Sequence, residues 1–119
     1  MTAQLMKEHK VTNVLFICSR NKWRSPTAEQ VWKNHPELAV SSAGTSPNAK
    51  RTVNAKMMQW ADVIFVMEQK HKNRLKAQFG HLLTYKDIQV LDIADEYQYM
   101  DKELVSIIKQ SVGGYLALM

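Results

Sequence analysis

The stretch VLFICSRNKWRSPTAE, residues 14–29, contains the only cysteine of the chain, Cys18, and an arginine six residues after it, Arg24. The apolar run before Cys18 predicts a buried strand, and Ser25-Pro26 predicts the start of a helix. Backbone N–H groups in such a strand–loop–helix segment converge on one concavity and bind anions. A thiol placed there is favoured as the thiolate, and Arg24 can hold a tetrahedral oxyanion through two hydrogen bonds. The pattern predicts a nucleophile at the base of a phosphate-binding loop.

This prediction depends on the whole pattern rather than on Cys18 alone. A lone cysteine after an apolar strand is more often a small buried core residue than a nucleophile. Here Ser25-Pro26 follows the cysteine, and Asn21 inside the loop is a residue type that tolerates left-handed backbone. Ser25 can also donate a hydrogen bond to the sulfur, which would favour the thiolate.

The elements around the loop follow from short apolar runs that alternate with helical periodicity. The predicted strands are Val11 to Ile17, Leu38 to Ser42, a segment within Ala61 to Met67, and Ile88 to Ile93. The predicted helices are Pro26 to His35, a helix N-capped by Thr52, Glu68 to Phe79, and a last helix N-capped by Asp101 and ended by Gly113-Gly114. Strands alternating with helices predict an α/β fold with a parallel sheet covered on both faces. Ligands bind at the carboxyl ends of the strands in such sheets, where the loop after Cys18 lies.

Length and composition predict one domain spanning residues 1–119. No apolar run approaches the roughly 18 residues that a membrane span needs. The N-terminal MTAQLMKEHK lacks the apolar centre of a signal peptide, so we expect a cytoplasmic protein that does not bind membranes. One cysteine cannot form an internal disulfide, and the four histidines lack zinc-ligand spacing, so no metal site is predicted.

The net charge of +5 is distributed unevenly. Residues 1–86 hold 14 Lys/Arg and 5 Asp/Glu, a net +9, whereas residues 87–119 hold 2 and 6, a net −4. A basic body suits a phosphorylated ligand, an acidic partner protein or nucleic acid. The dense run from Lys70 to Lys76 has no interleaved aromatic residues, so it is weak evidence for nucleic acid, and no nucleic-acid partner is expected.

Four segments of the chain occur in a fixed order: C-S-R-N-K-W-R-S-P from Cys18, S-S-A-G-T from Ser41, D-V-I-F-V-M-E from Asp62, and D-E-Y from Asp95. Together they resemble the low-molecular-weight protein tyrosine phosphatase family. That family has the loop C-x-G-N-x-C-R-S-P, an S-A-G-T segment after the second strand, a third strand ending in Met-Asp, and an Asp-Pro-Tyr loop bearing the general acid. The spacing C-x5-R alone is weakly specific, but four matching segments in the same order are strongly so.

The resemblance implies a flavodoxin-like domain of the low-molecular-weight phosphatase type, with a four-stranded parallel sheet, and a cysteine-dependent protein tyrosine phosphatase. In this interpretation Cys18 attacks phosphorus and forms a phosphocysteine, Arg24 holds the equatorial oxygens, and Asp95 protonates the leaving oxygen. The implied phosphate- and substrate-binding residues are Ser19, Arg20, Asn21, Lys22, Trp23, Ser25 and Tyr97, and Ser42 would support the loop. The expected ligands are a phosphoprotein or small aryl phosphate and a phosphate or sulfate ion in the loop. No metal or cofactor is implied.

The chain also departs from the family pattern. Arg20 stands in place of the loop glycine, and Trp23 stands in place of the second loop cysteine. Ser19 and Lys22 replace apolar residues that usually flank the pocket, which predicts a polar, basic rim. Arg20, Lys22 and the net +9 of residues 1–86 predict a preference for phosphopeptides with acidic flanks.

Two further departures lie outside the loop. The chain between Thr45 and Ala61 is much shorter than in typical members of the family, which predicts a more open site. Asp95 is followed by Glu96 rather than proline, and Asp92 is a rival for the general acid.

Three other functions fit part of the pattern. An arsenate reductase on this fold would need an external thiol, because the chain has one cysteine. A phosphocarrier of the sugar-transport type would not require Arg24 or Asp95. A non-catalytic module that binds phosphate or phosphoproteins needs the loop but no nucleophile. The pattern also leaves open phosphotyrosine, phosphoarginine or small phosphate esters as the substrate.

Overall fold

The structure, a computed structural model, describes residues 11–118. The N-terminal segment MTAQLMKEHK, on which the prediction about a signal peptide depends, lies outside these residues. The strands are β1 (Thr12–Cys18), β2 (Leu38–Gly44), β3 (Val63–Val66) and β4 (Asp87–Val90). The helices are α1 (Arg24–Trp32), α2 (Ala55–Trp60), α3 (Gln69–Phe79) and α4 (Lys102–Tyr115), with a 3-10 turn at Gly80–Leu83.

The four strands form one parallel sheet in the order β2-β1-β3-β4. The predicted α/β fold is therefore confirmed. Because β1 is central and its neighbours are β2 on one side and β3 on the other, the connections leave it in opposite directions. This is the switch point at which parallel sheets bind ligands, and Cys18 is the last residue of β1.

The unbroken apolar run of β1 serves two hydrophobic cores, because successive side chains of a strand point to opposite faces. Val14 and Phe16 lie in one core, which α1 and α4 cover. Leu15 and Ile17 lie in the other, which α2 and α3 cover. Burial on both faces explains why this strand reads as a continuous apolar segment rather than an alternating one.

Two helix starts differ from the predictions. The N-cap of α2 is Asn54, whose side chain accepts a hydrogen bond from the Met57 N–H, and Thr52 instead forms a single bridge with Gly44. Helix α1 begins at Arg24, so Pro26 is its third residue rather than its first. Proline is tolerated there because N–H groups of the first helical turn have no intrahelical acceptor.

The last helix starts as predicted and ends later. The Asp101 side chain accepts hydrogen bonds from the N–H groups of Glu103 and Leu104, so the predicted N-cap is confirmed. The helix continues through Gly113-Gly114 to Tyr115, so the predicted stop is wrong. Within residues 11–118, no helix combines the length and the apolar character needed to span a bilayer.

Candidate active site

The loop between β1 and α1, residues 19–23, is held from outside by the segment that follows β2. The carbonyl oxygens of Cys18, Ser19 and Arg20 accept hydrogen bonds from the N–H groups of Thr45, Ser46 and Lys50, at 3.0, 2.9 and 3.0 Å. In a planar trans peptide the N–H points opposite to the C=O. The N–H groups that follow these carbonyls therefore face the interior of the loop, where they can donate to an anion.

Gly44, at the end of β2, makes this close approach possible. A Cβ atom at this position would lie 2.5 Å from the Ser19 carbonyl oxygen, 2.6 Å from the Ala49 Cβ and 2.9 Å from the Asn21 nitrogen. No side chain fits such a space, so only glycine lets the loop lie against β2. The glycine of the S-A-G-T segment is thus a packing requirement of the anion-binding loop.

Cys18 is 3% exposed, and its sulfur lies 3.0 Å from the Ser25 hydroxyl oxygen. Asn21, buried and in the left-handed region with φ of 54°, donates from its amide to the hydroxyls of Ser25 and Ser42, both at 3.0 Å. Ser42 in turn donates to the Glu29 carboxylate at 2.5 Å. Because Asn21 occupies an acceptor site of Ser25, the Ser25 proton is left to donate either to the sulfur at 3.0 Å or to the Ala43 carbonyl oxygen at 3.4 Å. A bond to the sulfur is the one that stabilises a thiolate.

Arg24 is 2 % exposed and is fixed from one side. Its Nη1 donates to Glu68 Oε1 and to the Ile93 carbonyl oxygen, each at 2.7 Å. Its Nε lies 3.7 Å from Asp95 Oδ1. The hydrogen bond from Arg24 holds the pKa of Glu68 below its usual range, so this carboxylate stays charged and keeps the guanidinium in place.

These side chains meet in a pocket of about 180 Å³. Its lining residues are Cys18, Ser19, Arg20, Lys22, Trp23, Arg24 and Asp95. Lys22 lies over the Trp23 ring, 4.7 Å from its centre. The pocket thus contains the buried thiol and three cations, Arg20, Lys22 and Arg24, and Asp95 is its one carboxylate among residues 11–118.

Four predicted candidates are not part of this lining. Asn21 and Ser25 are buried and instead support the loop and the sulfur through the hydrogen bonds described above. The other two are Tyr97 and Asp92. The ring of Tyr97 packs, half-buried, against the core between α1 and α4, so its predicted place beside the substrate is not supported. Asp92 is exposed and adopts φ of 59°, and it does not contribute to the pocket. Asp95, three residues later, does contribute, with 61% of its side chain exposed.

The structure adds His71, on α3, which sequence reasoning did not single out. Its Nδ1 accepts a hydrogen bond from the Glu68 N–H at 3.0 Å, and its Nε2 lies 2.8 Å from the Ser19 hydroxyl oxygen. Burial and, to a lesser degree, the charge of Arg24 lower the pKa of His71 to about 4, so the ring is neutral at pH 7. With Nδ1 an acceptor, the one ring proton is on Nε2 and is donated to Ser19. The Ser19 hydroxyl proton is then free to point into the pocket.

The site suits an anion rather than a metal ion. Among residues 11–118, no three His, Cys, Asp or Glu side chains are grouped to hold a metal. Inward N–H groups, a fixed guanidinium and a hydroxyl instead surround a buried sulfur. The fold and this site together define the class of α/β proteins in which a cysteine and an arginine share one phosphate-binding loop.

Comparison with known proteins narrows the class. No protein-family model matches the chain. The low molecular weight protein-tyrosine-phosphatase Ptp of Acinetobacter johnsonii is 28% identical over 115 residues, covering 73% of this chain and 81% of that protein. The protein-arginine-phosphatase of Bacillus subtilis (strain 168) is 30% identical over 102 residues, covering 63% of this chain and 66% of that protein. The solved structure of Vibrio vulnificus Wzb in complex with benzylphosphonate has a TM-score of 0.74, covers 92% of this chain and 99% of its own, and shares 20% identity.

The similarity to the Vibrio vulnificus structure shows the fold, and the two sequence relatives indicate the family. The chain belongs to the low-molecular-weight protein tyrosine phosphatase family.

Proposed function

We propose that the protein is a cysteine-dependent phosphomonoester hydrolase that acts on phosphotyrosine in proteins. The observation that carries the proposal is the Cys18 sulfur at the base of the pocket, 3.0 Å from the Ser25 hydroxyl, with Arg24 and Asp95 in the same lining. A structural cysteine would not need an anion-binding loop above it. A binding module would not need a carboxyl group beside the anion.

In the first step, the Cys18 thiolate attacks phosphorus in line with the leaving group. The S–P bond forms as the P–O bond to the phenol breaks, and negative charge spreads over the equatorial oxygens. The loop N–H groups and Arg24 are fixed before the reaction, so they stabilise that charge without reorganising. The neutral His71 contributes by holding Ser19, whose hydroxyl proton is free to point at the same oxygens.

Asp95 supplies the proton in this mechanism. It is exposed at the mouth of the pocket, where a leaving oxygen emerges, and the Arg24 guanidinium lies beside it. Protonated Asp95 gives its proton to the phenol oxygen. In the second step the resulting carboxylate takes a proton from the water that attacks phosphocysteine, which releases phosphate and regenerates the thiolate.

The lining of the pocket favours phosphotyrosine over phosphoarginine. The Trp23 ring offers a wall for a phenyl group, and aromatic pairs prefer stacked or edge-on packing. A phosphoarginine side chain carries guanidine N–H donors that need acceptors. Within the described part of the chain, Asp95 is the one carboxylate in the lining, whereas Arg20, Lys22 and Arg24 are cations.

The test is hydrolysis of para-nitrophenyl phosphate and of matched phosphotyrosine and phosphoarginine peptides by the wild type and Cys18→Ser. We expect turnover of the aryl phosphate, a higher kcat/KM for the phosphotyrosine peptide, and no turnover by Cys18→Ser. Vanadate or phosphate binding to Cys18→Ser shows that the loop is intact. Substantial activity in that variant would contradict the nucleophile, and a wild type that binds phosphate without turnover would identify a binding module.

A further inference from the structure

We propose that a second cavity beside the active-site pocket binds an anionic side chain of the substrate protein, next to the phosphorylated residue. This inference rests on the proposed phosphatase function and names the feature of the substrate that the enzyme selects. The cavity has a volume of about 500 Å³. It crosses the carboxyl ends of β2, β1 and β3, because its lining comes from the segments after each of these strands.

The cations of this cavity come from two elements. Arg20 lies in the anion-binding loop, and Lys70 and Arg74 lie on α3. Positions 70 and 74 are one turn apart and therefore on the same face of the helix. The cavity is lined by no Asp or Glu among residues 11–118, although Glu68 lies 3.8 Å from the Lys70 amino group. Arg20 and Arg74 have no carboxylate within 4.0 Å in the same part of the chain.

The opposite wall of the cavity supplies polar groups. It contains Thr45, Ser46 and Asn48, which belong to the short segment after β2. The Ser46 hydroxyl oxygen accepts a hydrogen bond from the Asn48 N–H at 3.1 Å, so the Ser46 proton remains free to donate. Cations on one side and a hydroxyl donor on the other suit a carboxylate or a phosphoryl group and disfavour an apolar or cationic one.

The second cavity is continuous with the active-site pocket, because Ser19 and Arg20 line both. A peptide that places phosphotyrosine over Cys18 therefore passes a neighbouring residue over Arg20. Extended chain advances about 3.3–3.6 Å per residue, so the residue one or two positions away reaches the second cavity. Lys22 and Trp23 line the active-site pocket and not the second cavity.

The experiment compares three phosphotyrosine peptides of one sequence that carry Gln, Glu or phosphoserine at the neighbouring positions. The protein is wild type, Arg74→Gln or Lys72→Gln, and each rate is divided by that variant's rate on para-nitrophenyl phosphate. Lys72 is the matched control, because it loses the same charge from the same helix but lines a separate cavity with Lys76. We expect the wild type to prefer the Glu peptide, and Arg74→Gln to lower the Glu-to-Gln ratio by about twofold to fivefold, the range for exposed ion pairs.

The outcomes separate this inference from the proposed function. A Glu-to-Gln ratio near one in the wild type, or equal ratios in Arg74→Gln and Lys72→Gln, would overturn the second cavity while aryl phosphatase activity stands. If no substrate is turned over, the proposed function is wrong. The affinities of the same peptides for the protein are then compared, and the Glu-to-Gln ratio of these affinities tests the second cavity. A larger effect of phosphoserine than of Glu would identify the anion as a second phosphate.

Discussion

At the scale of single residues, Asp95, whose carboxyl group lies beside Arg24, is expected to control the departure of poor leaving groups. Asp95 lies in the pocket lining, whereas Asp92 is exposed outside it. Asp95→Asn should slow aryl phosphates with poor leaving groups by about 100-fold or more, because a positioned acid contributes about 10²–10⁴. Aryl phosphates with good leaving groups need no proton and should be slowed far less. A plot of log kcat against leaving-group pKa measures the difference.

Asp92→Asn is the matched control for this prediction. Asp92 has φ of 59°, and asparagine tolerates the left-handed region as well as aspartate does, so the backbone should be unaffected. The slope of log kcat against leaving-group pKa in Asp92→Asn should equal that of the wild type. The steep dependence in Asp92→Asn together with a flat one in Asp95→Asn would reverse the assignment.

His71 gives the protein a defined response to acid. Its pKa is lowered from 6.5 to about 4 in the fold, with burial as the main cause. Between these two values the unfolded chain binds a proton that the folded one does not, so stability falls as the pH falls from 6.5 to 4. The pKa of Glu68 lies below its usual 4.5, so protonation of Glu68 lowers the stability of the fold only at lower pH. His71→Asn should therefore flatten the free energy of unfolding between pH 6.5 and 4.5.

Urea unfolding at several pH values measures this slope. His81→Asn is the control, because His81 is exposed and its removal should leave the slope of the wild type. Equal slopes in the wild type and His71→Asn would show that the buried ring does not control the acid response. If the pH dependence of the unfolding free energy disappeared in His81→Asn, the acid response would belong to His81 and not to His71.

At the scale of elements, the end of β2 controls the shape of the loop after β1. Gly44→Ala would place its Cβ 2.5 Å from the Ser19 carbonyl oxygen, which is backbone and cannot turn away. We expect a loss of about 1–3 kcal/mol in stability, as for other overpacked sites, and weaker phosphate binding. Calorimetric titration with phosphate and urea unfolding measure both effects.

Gly114→Ala is the matched control for the loop. Gly114 is helical, and a Cβ there meets nothing within 4 Å. The change should leave phosphate affinity unaltered and add about 0.5–1 kcal/mol of stability, because alanine favours helix over glycine. If Gly44→Ala binds phosphate as well as Gly114→Ala does, the loop does not depend on this close approach.

The helices and strands show which structural features the sequence patterns predict and which they do not. Apolar runs predict the strands and their order along the chain, because burial on both faces requires such runs. The start of α2 was missed because Thr52 and Asn54 are both good N-caps, and only tertiary contacts choose between them. The end of α4 was missed because neither Gly113 nor Gly114 has positive φ, so both continue the helix. The left-handed residue that follows the helix is Ala117, with φ of 57°.

The residues of the candidate site also fall into those that the sequence predicts and those that only the structure brings together. Cys18, Arg24 and Asp95 were predicted because local spacing and family landmarks mark them. Glu68 and His71 were not assigned roles, since their contacts to Arg24 and Ser19 join the start of α3 to the segment after β1. These contacts form only when β3 lies beside β1. Tyr97 was predicted at the substrate because aromatic residues often line pockets, but its ring completes the core.

At the scale of the whole molecule, the arrangement brings one reactive sulfur into a chain with no second thiol. Cys18 is the only cysteine of the 119 residues. It is nearly buried, yet it lines a pocket of about 180 Å³, which admits a molecule as small as peroxide. Oxidation of the thiolate gives sulfenic acid, which a neighbouring thiol normally traps as a disulfide.

Trp23 stands where family members with a second loop cysteine have that thiol, so the sulfenic acid of Cys18 has no internal thiol to trap it. It must react with an external thiol, close onto a backbone nitrogen, or proceed to the irreversible sulfinic acid. We expect peroxide alone to cause progressive loss of the activity that a reductant can recover. Glutathione present during exposure should preserve that activity as a mixed disulfide, and bound phosphate should slow the loss by covering Cys18. Intact mass spectrometry would follow the added oxygens and the glutathione adduct. Complete recovery by reductant after long exposure to excess peroxide, with no small thiol present, would contradict this account of the isolated sulfur.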